Sequence, residues 1–123
     1  MKILLTILVL SFIQAPVTVV KNNGDEVVLT EVRFYQTDDI ASVNMLAYSY
    51  RGQEGKIPIS QIKRISFKES VKRKKGIATY MVILVKSDNS KLEVEMDLNR
   101  LEGIGQNGKA ESMNLTSVDK ISF

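Results

Sequence analysis

The side chains that carry most enzymatic chemistry are missing from this chain. It has no His and no Cys in 123 residues. That removes the commonest general base, the usual zinc ligands and the thiol nucleophile. A Ser nucleophile would need a Lys or carboxylate partner, and no Gly-x-Ser-x-Gly elbow occurs. No Gly-rich phosphate cradle precedes a helical pattern either. The expectation is therefore a protein that is not an enzyme and has no cofactor, with a hydrolase of unrecognised site as the third reading. Asp38-Asp39 and Asp88-Asn89-Ser90 offer oxygen ligands. Calcium takes about six to eight of them, and neither run has the alternating acidic spacing. Both read as solvated turn residues, so no metal site is expected.

Two groupings could bind without catalysing. Lys72-Arg73-Lys74-Lys75, flanked by Lys63, Arg64 and Lys68, could hold an anion: nucleic acid, an acidic envelope polymer or lipid head groups. As a solvated connection the same charges would only keep the chain extended and soluble. Tyr48 and Tyr50 stand two apart and so share a strand face. Exposed, they make a stacking or glycan platform; otherwise they cover the mouth of a barrel.

The elements that must position these groups are organised by a repeat. Ile57-Pro-Ile-Ser-Gln-Ile-Lys-Arg-Ile-Ser-Phe67 returns as Met113-Asn-Leu-Thr-Ser-Val-Asp-Lys-Ile-Ser-Phe123. The apolar positions are spaced two, three, three and two. Period two is strand and period three is a 3₁₀ turn, so the stretch predicts strand 57–59, turn 60–62 and strand 63–67 with its apolar side chains on one side. Five β-branched or aromatic residues in eleven argue against a short amphipathic helix. Phe67 and Phe123 are predicted core residues.

Upstream of each copy lies a matching hairpin. Asn23-Gly24 is a strong turn signal, and Lys86 to Lys91 repeats it with Asn89 in place of Gly24. Glu26 to Tyr35 reads as a long strand, with Val28, Thr30, Val32 and Phe34 on one face. Leu92, Val94, Met96 and Leu98 alternate in the second copy. Gln36 to Asp39 breaks the pattern as a loop, Ser42 to Tyr50 resumes as strand, and Arg51 to Gly55 turns. The hairpins align at an offset of 65 residues and the closing stretches at 56, so the second copy is nine residues shorter, in the region of the third strand.

With the hairpin around Asn23-Gly24 and the closing Ile59-Ser-Gln-Ile-Lys-Arg-Ile65 both in view, the chain resembles the Sm-like class of small β-barrels in each copy. The resemblance implies a strongly bent five-stranded barrel and no activity. The fold expected is all-β: two sequence-related five-stranded units, packed together or forming one continuous barrel or sandwich, after an N-terminal signal-like helix. About 50 residues is near the lower limit for independent folding, which favours copies that pack on each other.

The beginning of the chain supplies an address. Met1-Lys2, an apolar run from Ile3 to Ile13 and Ala15 resemble a secretory signal. An uncleaved anchor would need about 20 apolar residues and must borrow Val17 to Val20, which the repeat assigns to a strand. Without Cys there is no acylated anchor and no disulfide. The division is signal peptide 1–15, repeat 16–67, basic link 68–76 and repeat 77–123. Net charge is +3, or +2 without Lys2, too small to imply nucleic acid by itself. The first reading is an exported, non-enzymatic β module, periplasmic or secreted. It binds or scaffolds a protein or envelope polymer through residues 36–55 or an edge strand. The second is an Sm-like nucleic-acid or polyanion binder using the basic link; a nucleic-acid role sits badly with an export signal.

Overall fold

A computed structural model describes residues 15–36, 42–74 and 77–123, with the backbone alone for 69–74 and 77. The signal-like segment up to residue 14, and with it the expected helix, lies outside the described residues. So do Asp38, Asp39 and Lys75. None of the described helical segments is long and apolar enough to cross a membrane.

Among the described residues there are ten strands: β1 (Val17–Lys21), β2 (Glu26–Tyr35), β3 (Met45–Tyr50), β4 (Gln53–Pro58), β5 (Ile62–Lys74), β6 (Ile77–Lys86), β7 (Lys91–Leu98), β8 (Arg100–Gly105), β9 (Ala110–Asn114) and β10 (Val118–Ser122). All belong to one sheet in the order β4-β3-β7-β6-β5-β10-β1-β2-β8-β9. The two sequence-related units therefore share one continuous, open sheet. Replacing each strand by its counterpart in the other copy, β1 by β6 and so on, reverses that order. The sheet thus has an approximate two-fold relation about the β5–β10 pair, where Ile65 faces Ile121.

The copies are not the halves. One half is β4-β3-β7-β6-β5 and the other is β10-β1-β2-β8-β9. Each half combines the first two strands of one copy with the last three strands of the other. The connection between β7 and β8 shows why. Only Asn99 separates them, and the tightest common hairpin needs two turn residues. β8 therefore cannot fold back on β7. It runs into the other half and pairs with β2, from Leu29↔Gly105 to Tyr35↔Arg100. Reciprocally, β3 of the first copy lies beside β7, and most of the residues missing from the second copy fall between the counterparts of β2 and β3.

The repeated stretches do what their spacing requires. Ile57, Ile59, Ile62 and Ile65 are buried, as are Met113, Leu115, Val118 and Ile121. The 3₁₀ turns fall at Ile59–Gln61 and Leu115–Ser117, one residue earlier than the spacing suggested. Asn114 caps the second, its side-chain oxygen accepting from Thr116 N at 3.0 Å. Phe67 and Phe123 are corrected outward: both are half-buried against the core. The Phe123 ring lies 5.9 Å from Phe34, and Phe67 meets Tyr80 edge-on at 5.2 Å.

β2 departs from simple alternation. Leu29, Val32, Phe34 and Tyr35 are the buried residues. Val28 and Thr30 are off that face because Glu31 adopts φ 53° and the register slips between Thr30 and Arg33. A one-residue bulge exchanges the faces of everything beyond it. β7 has no bulge, and its alternation holds: Val94, Met96 and Leu98 are buried. Residues 68–74, expected to start a link, continue β5 instead and pair with β6 as far as Lys74↔Ile77.

Candidate functional site

The two crossings create two seams, β7 against β3 and β2 against β8. At the β2–β8 seam five residue pairs are in register. Its end is closed by a small polar cluster. The Arg100 guanidinium lies 4.0 Å over the Tyr35 ring and 3.2 Å from Glu102 Oε2. The Tyr35 hydroxyl donates to Glu102 Oε1 at 3.0 Å. Burial, then this carboxylate partner, pushes the phenol above its ordinary value.

The β7–β3 seam is in register at Ser49↔Glu95 alone. Two residues along, Ala47 and Asp97 would pair next. The side chain of Gln36, the one buried polar residue among those described, lies between them instead. Its Nε2 donates to Ala47 O and Asp97 O, each at 2.9 Å, and its Oε1 accepts from Ala47 N at 2.9 Å. An amide side chain thus replaces a rung of backbone ladder. It satisfies partly buried backbone groups that the missing rung would leave without partners.

Beyond Ser49 in the other direction, β3 ends in a two-residue turn. Arg51 and Gly52 both have positive φ, 51° and 83°, which suits the twist of a tight hairpin. The turn leads β4 away, while β7 continues to Lys91. Between them lies a groove of about 540 Å³ lined by Ser49, Tyr50, Arg51, Gly52, Met81 and Lys91 to Glu95. Arg51 caps the Tyr50 ring at 5.1 Å. Glu93 is 3.3 Å from Lys68, both exposed. A smaller groove of about 280 Å³ lies in the other half and carries Glu31, Arg33, Glu102 and Glu111.

The structure brings Tyr50 to the larger groove and keeps Tyr48 from it. Both rings are half-buried against the core. Tyr48 lies over Gly55, its cross-strand partner, where an added Cβ would stand 2.7 Å from the ring. Lys72, Arg73 and Lys74 are on β5, and their side chains, like all of Lys75, lie outside the described residues. Asp88 is occupied within its turn, accepting from Ser90 N at 2.9 Å and Ser90 Oγ at 2.6 Å. These bonds hold its carboxyl below the usual range.

Arg51, Lys91, Glu93 and Glu95 were not singled out by sequence. Their positions on a turn and on the polar face of β7 were legible, but their convergence depends on which strand lies beside β7. Nothing local marks Gln36 either. No protein-family model matches the chain, and neither the curated proteins nor the solved structures yield a match.

Proposed function

We propose that the chain is an exported, non-enzymatic β module that binds a protein partner through the groove between the β3–β4 hairpin and β7. One observation carries this reading: equivalent seams of a near-symmetric sheet differ, and the groove opens where the β7–β3 ladder stops at Ser49↔Glu95. A packing element used twice has no need of that difference. Export is supported by the leader-like start. The first described strand begins at Val17, so a cut after Ala15 falls outside all ten strands.

The test combines address and contact. Cell fractionation with an intact-mass measurement should give an envelope or external product lacking residues 1–15. A photo-crosslinking residue in place of Tyr50 should trap a partner that the same residue in place of Ser112, on the smaller groove, does not. A cytosolic full-length product would overturn the export claim, and equal trapping at both positions would overturn the groove.

A second reading is favoured by the length of β5. It carries 72–74 on a paired strand, so the basic run belongs in part to an ordered element. A polyanion binder of this kind would hold a generic oligonucleotide at low salt and lose it when Lys72 to Lys75 are replaced by Ser.

A further inference from the structure

The edge of β7 inside the groove is unsatisfied backbone. In the β6–β7 hairpin Lys86 N donates to Ser90 O at 2.8 Å. In an antiparallel ladder bonding alternates, so residues 92, 94, 96 and 98 direct their N–H and C=O groups at β6. Residues 91, 93, 95 and 97 direct theirs the other way. Asp97 O agrees, since it accepts from Gln36 on that side. Glu95 is paired with Ser49. Lys91 and Glu93 therefore face the groove, and β3 has already turned away at Arg51.

We infer that Lys91 and Glu93 accept one short extended segment of an acidic partner protein as an added strand in line with β3. Backbone bonds would supply affinity and side-chain pockets selectivity, as in other strand additions. The choice of an acidic segment follows from charge. Arg51 and Lys91 stand at the open end of the groove. Arg51 rests on a tyrosine ring, while Glu93 is already engaged by Lys68. Glu95 stands at the closed end beside Ser49, so the acidic residues of the segment belong at the end over Arg51 and Lys91. This inference rests on the groove being the partner site and specifies what enters it.

The experiment titrates the ¹⁵N-labelled chain with three hexapeptides: acetyl-Val-Glu-Val-Asp-Val-Glu-amide, its counterpart with Lys at the acidic positions, and the acidic peptide N-methylated at alternate residues. The acidic peptide should shift the Lys91 and Glu93 amides and slow their exchange. The basic peptide should bind at least about five-fold more weakly, and the N-methylated one should not bind. Arg51→Ala and Lys91→Ala should each weaken the acidic peptide by up to about five-fold at low salt, the scale of an exposed ion pair. Glu93→Pro removes an N–H that β6 does not use and should abolish binding. If that variant does not fold, the N-methylated peptide decides the same point. Equal binding of the acidic and basic peptides, binding of the N-methylated one, shifts confined to residues elsewhere, or no shifts at millimolar peptide would each overturn strand addition. Partner trapping from position 50 that survives such a failure would leave the groove standing; loss of both would remove the groove as well.

Discussion

The two seams where the copies exchange strands occupy equivalent places and are built differently. β2 and β8 are joined by five pairs and closed by Tyr35, Arg100 and Glu102. β7 and β3 have one pair and a glutamine amide in place of the next. The lesson is that a repeated fold can keep one seam for cohesion and leave the other incomplete. Backbone groups left over at the incomplete seam are the natural place for recognition, because they are already directed outward and need no rearrangement to bond.

The comparison is broken most easily at Phe34. It is fully buried, faces Leu101 across the closed seam and lies beside Phe123. Phe34→Ala should cost about 3–5 kcal/mol. Each half contains strands of both copies, so urea unfolding should remain one transition at a lower midpoint. Two separated transitions would mean that the halves are independent. Gln36 comes next. Gln36→Ala removes three hydrogen bonds and leaves partly buried backbone groups of Ala47 and Asp97 open, a loss of about 1–3 kcal/mol. The amide of Ala47 should lose its exchange protection while that of Arg33, paired with Glu102 across the other seam, keeps it. Equal loss at both would show that the seams are not separable.

The smallest effect is alkaline. Folding raises the Tyr35 pKa, chiefly by burial and then through Glu102. The neutral phenol is the form the fold favours. Its contribution is complete below the unfolded value of about 10 and falls as pH rises past it. Between about pH 9 and 11 the wild type should lose more stability than Tyr35→Phe, read as the shift in urea midpoint. Parallel losses would remove Tyr35 from the closure of that seam.

Much of this architecture was legible where side-chain period alone decides. The two–three–three–two spacing of Ile57 to Phe67 fixed the buried positions of both closing stretches, because burial on one side of a strand–turn–strand admits little else. Glu31 was not legible. A Glu in a left-handed conformation has no local signal, and it exchanged the face expected for Val28 and Thr30. Strand exchange was not legible. The single-residue connection at Asn99 depends on β8 starting at Arg100, one residue before the apolar pattern resumes at Leu101, and the repeat suggested neighbours within each copy. Periodicity specifies faces and is silent on which strand lies alongside. For the same reason Tyr50 could be named while Arg51, Lys91 and Gln36 could not. Phe67 and Phe123 close the repeated stretches yet lie at the margin of the core.

The asymmetry of the seams is tested most directly by amide hydrogen exchange on the unliganded chain, read residue by residue at β7. Val94, bonded toward β6, should be protected to the level of the central strands, and Glu93 beside it should exchange at least about a hundred-fold faster, an estimate for a backbone group left outside the ladder. Protection of Glu93 equal to that of Val94 would mean that the seam is closed, and would contradict both the open edge and the binding site built on it.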